Sequence, residues 1–132
     1  MPDPKAKVAR MVQPAPLKSE AYQPWSRGRG VDVWAMLTAS ITGDLETIRT
    51  LVAGDPKLVA CEYEYFTPLR FAVRENQRAI VEFLLEKRAD PAQEIGDSLL
   101  TIARDRNYSE LVSQLEYIQE VRAGFIFRSR PI

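Results

Sequence analysis

The chain has 132 residues, 45% of them hydrophobic and 27% charged, with eighteen Lys or Arg against eighteen Asp or Glu. That is the composition of a globular domain, and a net charge of zero supplies no global field to draw it onto nucleic acid. There is no histidine and one cysteine, Cys61, which removes the commonest general base and metal ligand and rules out an internal disulfide.

Residues 1–30 read as an extended, basic, proline-rich arm, with Pro2, Pro4, Pro14, Pro16 and Pro24 barring one continuous helix. One or two helical turns fit between Lys5 and Val12, and Arg27-Gly28-Arg29-Gly30 reads as a flexible hinge into the body. Residues 1–24 are expected to be mobile until a partner orders them, with Tyr22 and Trp25 as anchors. Residues 31–121 read as six helices in three pairs. The first spans about Val33–Thr42 and closes at Gly43-Asp44, where glycine suits the left-handed position past a helix end. Asp44 is the predicted cap of the second helix, which stops at Ala53-Gly54-Asp55-Pro56. Thr67 caps the third, with Pro68 at its first position. The fourth spans about Arg78–Glu86, the fifth about Ser98–Arg104 and the sixth about Ser109–Val121. Residues 122–132 form a tail of alternating aromatic character, readable either as an extended strand or as the start of a further repeat. Core positions are expected at Leu51, Leu69, Leu84 and Leu115.

The pairs repeat. Trp34-Ala35-Met36-Leu37-Thr38-Ala39 returns 33 residues later as Thr67-Pro68-Leu69-Arg70-Phe71-Ala72, and 31 residues after that as Ser98-Leu99-Leu100-Thr101-Ile102-Ala103. A period of this size marks stacked helical hairpins. The middle copy continues through Ile80-Val81 and Leu84-Leu85 to Arg88-Ala89-Asp90-Pro91, and this run resembles the ankyrin-repeat family. The first copy matches through Ala39, Gly43-Asp44, Ile48, Leu51 and Val52, the third through Gly96, Leu100, Ala103, Val112 and Leu115. The resemblance implies an all-α solenoid of about three helix pairs, with hairpin tips and a concave groove as its binding surface. Arg70 stands where the family has histidine, and Tyr65 where it has a glycine at the hairpin tip. As a charge at a nearly buried family position, Arg70 is expected to pair with Glu64, Glu75 or Asp97.

The candidate partner-binding residues follow. Glu62-Tyr63-Glu64-Tyr65-Phe66 falls at the implied hairpin tip, and Tyr63, Tyr65 and Phe66 are the aromatics expected to meet a partner, with Glu64 between them. Arg74 and Glu75, their first-repeat equivalents Ile41 and Thr42, and their third-repeat equivalents Asp105 and Arg106 align with positions the family uses for contact. No catalytic, cofactor-binding or metal-ligating set emerges: the carboxylates lack motif spacing, Cys61 has no neighbouring Cys or His, and Gly28 and Gly30 make no phosphate loop.

Charge is unevenly spread. Residues 33–116 carry nine bases and fourteen acids, while residues 1–32 carry six bases and three acids and residues 117–132 three bases and one acid. The basic ends leave nucleic-acid association as an alternative ranked below protein binding. The expected function is that of a non-catalytic adaptor or accessory subunit, within a multi-subunit complex for instance, with a regulatory module of a longer enzyme as the other alternative. No apolar run approaches the roughly 18 residues of a membrane span, the N-terminus lacks the apolar stretch of a secretory signal, and a lone cysteine suits a reducing, cytoplasmic setting.

Overall fold

The computed structural model describes residues 3–90 and 98–123. Helix α1 spans Pro4–Arg10, and a 3-10 turn covers Ala15–Lys18. A short hairpin follows, with β1 Tyr22–Gln23 paired antiparallel to β2 Gly28–Arg29. Three helical hairpins then stack: α2 Gly30–Thr42 with α3 Leu45–Gly54, α4 Pro68–Arg74 with α5 Arg78–Glu86, and α6 Leu99–Asp105 with α7 Ser109–Ala123. The helices α2, α4 and α6 pack on one another in sequence as one layer, and each is backed by the helix that follows it. The all-α, ankyrin-like solenoid is therefore the observed fold.

Each hairpin turn is closed the same way. Gly43, Asn76 and Asn107 take φ values of 87°, 56° and 60°, the left-handed region open to glycine and tolerated by asparagine. The next amide then reaches back to an alanine carbonyl: Asp44 N to Ala39 O at 3.0 Å, Gln77 N to Ala72 O at 2.8 Å, Tyr108 N to Ala103 O at 2.9 Å. This is the six-to-one bond of a Schellman cap. All three alanines are buried, where a larger side chain would hold the stacked helices apart. N-termini are capped by side chains, with Thr67 and Asp44 in the predicted role and Ser98, predicted as a first helical residue, in the same one. Arg70 N donates to the Thr67 hydroxyl at 3.0 Å, Thr47 N to Asp44 Oδ1 at 3.2 Å and Thr101 N to the Ser98 hydroxyl at 3.1 Å.

Repeats are also tied end to end. Gln77 Nε2 donates to the Ile41 carbonyl at 2.8 Å, and Tyr108 OH to the Arg74 carbonyl at 3.1 Å. Arg122 donates to the carbonyls of Leu85 and Ala89 at 3.1 and 2.6 Å. Each donor satisfies orphan carbonyls at the end of a helix in the preceding repeat. Leu69, Leu84 and Leu115 are buried as expected, whereas Leu51 is only half-buried, packed against the edge of the core.

The N-terminal stretch differs from the expected extended arm. Its prolines start short elements instead of preventing them: Pro4 opens α1 and Pro16 lies in the first turn of the 3-10 segment, where a missing N–H leaves nothing unsatisfied. Leu17 is fully buried, Val8 and Met11 pack against the core, and the Lys7 ammonium bridges to the Glu75 carboxylate at 2.8 Å. Apolar side chains with a face to cover outweigh the weak local propensity. The Arg27–Gly30 run is likewise no hinge. Gly28 lies in β2 under Leu58, and a Cβ on Gly30 would sit 2.0 Å from the Pro16 carbonyl oxygen. Helix α2 accordingly starts at Gly30, three residues before its predicted start at Val33. The hinge-like glycines are close-packing positions. The predicted pairing of Arg70 with Asp97, the Gly96 match and most of the tail fall outside the described residues.

Two outcomes follow from this packing. Gly30→Ala drives a methyl into backbone, so its unfolding free energy falls by about 1–3 kcal/mol, its denaturation midpoint drops, and amide exchange speeds up across residues 4–18; an unchanged midpoint contradicts the docking. Asp44→Ala lowers stability at neutral pH by about 1 kcal/mol, as N-cap losses do. The Thr47 hydroxyl and amide hold the Asp44 carboxyl below its ordinary pKa, so this contribution is present above the unfolded pKa and disappears as pH falls through the folded one. The gap between wild type and variant therefore closes on acidification, measured by denaturation at a series of pH values.

Candidate functional site

Two hairpin tips project side by side from the solenoid. In the second, Tyr63 and Phe66 exchange amide-to-carbonyl bonds of 2.9 Å in each direction across a two-residue turn. Glu64 and Tyr65 occupy that turn with φ of 49° and 72°, the geometry of a type I′ turn that normally selects Asn-Gly. A bulky tyrosine in the left-handed region is strained. Its ring is 64% exposed. The first tip is the β1–β2 hairpin, closed by Arg27 at φ 66°, and Trp25 stands on it 90% exposed. A main-chain bond from Glu62 N to Ser26 O at 3.1 Å joins the two hairpins. Tyr22, on the same first hairpin, holds the Lys57 ammonium 4.7 Å above its ring. The two hairpins thus stand next to each other, the first carrying Tyr22 and Trp25 and the second Tyr65.

Behind the second tip lies a stacked pair. Phe66 lies parallel to Phe71 of α4, centroids 5.0 Å apart and planes 5° from parallel. The Arg74 guanidinium, nearly one turn further along α4, caps both rings at 5.9 and 5.4 Å, a cation–π arrangement. From there a groove of about 320 Å³ opens between α4 and α6, lined by Phe66, Arg70, Arg74, Ile102, Asp105 and Arg106. Arg106 Nη1 donates to the Arg74 carbonyl at 3.2 Å, which fixes one wall against the other.

Of the predicted residues, then, Phe66, Arg74, Asp105 and Arg106 converge on this groove, and Glu64 and Tyr65 form the turn that leads into Phe66. Tyr63 is half-buried and packs against the core. Ile41 does not reach the surface: it is 3% exposed, because α2 turns that position onto the next repeat. Thr42 returns its hydroxyl to the Thr38 carbonyl at 3.2 Å. Glu75 is occupied by Lys7, which binds both carboxylate oxygens. Arg70, expected at a nearly buried position, is half-buried in the groove wall. Phe71 escaped notice because its signal, an aromatic five residues after Phe66, becomes meaningful only once the turn folds Phe66 back over α4.

Cys61 is fully buried, and burial pushes its thiol well above the ordinary value, so it is uncharged at neutral pH. Among the described residues no three His, Cys, Asp or Glu side chains gather as metal ligands, and no helix is long and apolar enough to cross a membrane. The candidate site is a surface of exposed aromatic tips and guanidinium groups on a helical-repeat scaffold. The ankyrin-repeat family model matches residues 64–94, the whole of α4 and α5 with the preceding tip. The second helical hairpin thus matches an ankyrin repeat, and such repeats generally mediate protein–protein interactions. No solved structure matches it significantly.

Strain at the tip yields a separable outcome. Tyr65→Gly removes the left-handed penalty and raises the unfolding free energy by about 0.5–1 kcal/mol, read as a higher denaturation midpoint. A fall in stability shows that the Tyr65 ring is held by packing and not displayed.

Proposed function

We propose that this protein is a non-catalytic adaptor or accessory subunit that grips another protein with its hairpin tips and the groove behind them. The observation that supports the reading most is the set of Trp25, Tyr65 and Phe66, exposed by 90%, 64% and 39% on adjoining tips. Exposed aromatics in a cluster are the residues that become buried anchors when a partner covers them. Keeping a strained tyrosine where glycine is easier accords with a role at the surface. The N-terminal segment contributes directly, since its own hairpin presents Trp25. A cytoplasmic setting suits the single, buried thiol.

The test starts with affinity capture by the full chain from its native cells, followed by affinity measurement on the purified partner. Trp25→Ser and the double variant Tyr65→Ser with Phe66→Ser each weaken binding by about tenfold or more, equivalent to about 1.4 kcal/mol per decade. Circular dichroism and melting show Trp25→Ser folded as wild type, since that ring touches no core. Glu110→Gln, on the back helix α7, leaves affinity unchanged. Full-strength binding by both folded aromatic variants overturns the proposal.

A further inference from the structure

We infer that α1 is a removable occupant of the surface formed by α2 and the end of α4, and that this surface takes in its place a basic amphipathic helix of a partner, with apolar side chains one and four places after a lysine or arginine. The inference rests on the protein-binding reading for the source of the competing helix, and adds a second surface to the tips.

The first argument is how lightly α1 is held. Pro4, Lys7, Val8 and Met11 have the spacing of one helical face, and that face is turned to the body. Helix α1 packs on α2, Val8 and Met11 lie against the core, and the Lys7 ammonium binds both Glu75 oxygens at 2.9 and 2.8 Å. Yet none of its residues is buried. Firm anchorage begins only at Leu17, which is fully buried, and at the bonds from Val31 N to Ser19 O and from Gly30 N to Ala21 O. Between helix and anchor the backbone is extended at Met11 and Pro14, and Val12 is 86% exposed. Seven residues are too few to hold a helix alone in water. Leaving the surface therefore also unwinds α1 and returns its conformational entropy.

Charge is the second argument, and it fixes the kind of competitor. Helix α1 carries Lys5, Lys7 and Arg10, with Asp3 at its cap, whereas residues 33–116 hold nine bases and fourteen acids. Glu75 is only 9% exposed beneath Lys7, itself 34% exposed. Once α1 leaves, that carboxylate is open to the next cation, beside a patch sized for the two side chains of Val8 and Met11. A basic helix is drawn to this surface, and an acidic helix or a run of phosphates is repelled. A tethered segment competes at an effective concentration of about millimolar, so α1 closes the surface in the free chain and yields to a helix that makes the same contacts better.

The probe is a synthetic peptide of residues 3–14, titrated to millimolar concentration into isotope-labelled full chain and followed by amide NMR. The chain carrying Lys7→Glu, whose own α1 is repelled by Glu75, should stay folded and show saturable shifts in α2 and at Glu75; wild type should need about tenfold more peptide. The Glu75→Lys chain should ignore this peptide and respond to its Lys7→Glu version. In the wild-type chain alone, the Lys7 and Met11 amides, which donate to Asp3 and Val8, should exchange about tenfold faster than those of Gly30 and Val31. Equal protection of all four amides, or a Lys7→Glu chain that does not fold, makes α1 part of the core and overturns the inference. So does a Lys7→Glu chain without saturable shifts, or binding indifferent to the exchange of charges. A wild-type dimer that Glu75→Lys dissolves overturns it too, since a second copy then supplies the helix. Trp25→Ser should leave the titration unchanged, so failure here and failure of the aromatic tips are told apart.

Discussion

The whole structure depends on a small alanine carbonyl recurring at the end of each inner helix. Ala39, Ala72 and Ala103 each accept the amide that closes a left-handed turn, and each is small enough for the neighbouring helix to come close. Those two demands, one from hydrogen bonding and one from packing, fall on the same residue and set the repeat. Side chains from the next repeat then bind the remaining carbonyls, Gln77 on Ile41 and Tyr108 on Arg74. A helix end that projects no orphan carbonyl groups into the interface allows a stack of three hairpins to stand at all.

Register in the stack decides which residues share the exposed edge. Because α2 and α4 are aligned by these bonds, the hairpins that precede them are brought within one main-chain bond, Glu62 to Ser26. Aromatic residues far apart in sequence, Trp25 and Tyr65, thereby share one edge. The same alignment moves Arg106 against the end of α4 and encloses the groove. The N-terminal segment seals the other side: α1 lies on α2 and Lys7 takes up Glu75. It serves as an end cap for the first repeat, a role that minimal solenoids need filled.

Much of this was legible in the amino-acid order, where the signal was local. Gly43, the caps Asp44 and Thr67, and the apolar spacing of Leu69, Leu84 and Leu115 act over a few residues and speak for themselves. The left-handed Asn76 and Asn107 carry the same turn as Gly43, but asparagine is also an ordinary surface residue, so the match shows only once φ is known. The arm was misread because proline is a strong local signal and burial of Leu17 is not local at all: it depends on a glycine at position 30 that lets the backbone of Pro16 approach. Ile41 shared an alignment with binding positions, yet its place at the α2 end faces the next repeat. Glu75 reads as a solvent charge until a lysine 68 residues earlier is brought against it.

The central claim is that residues 4–29 belong to the folded stack and carry one of the aromatic tips. Native-state hydrogen exchange on the isolated, full chain tests it most directly, read at the Gly30, Val31 and Glu62 amides, which donate to Ala21, Ser19 and Ser26 respectively. The account predicts that these three are protected together with the α4 amides and open with them as a unit. Free exchange at Gly30, Val31 and Glu62 while α4 stays protected contradicts it, and returns the N-terminal segment to the status of a tail.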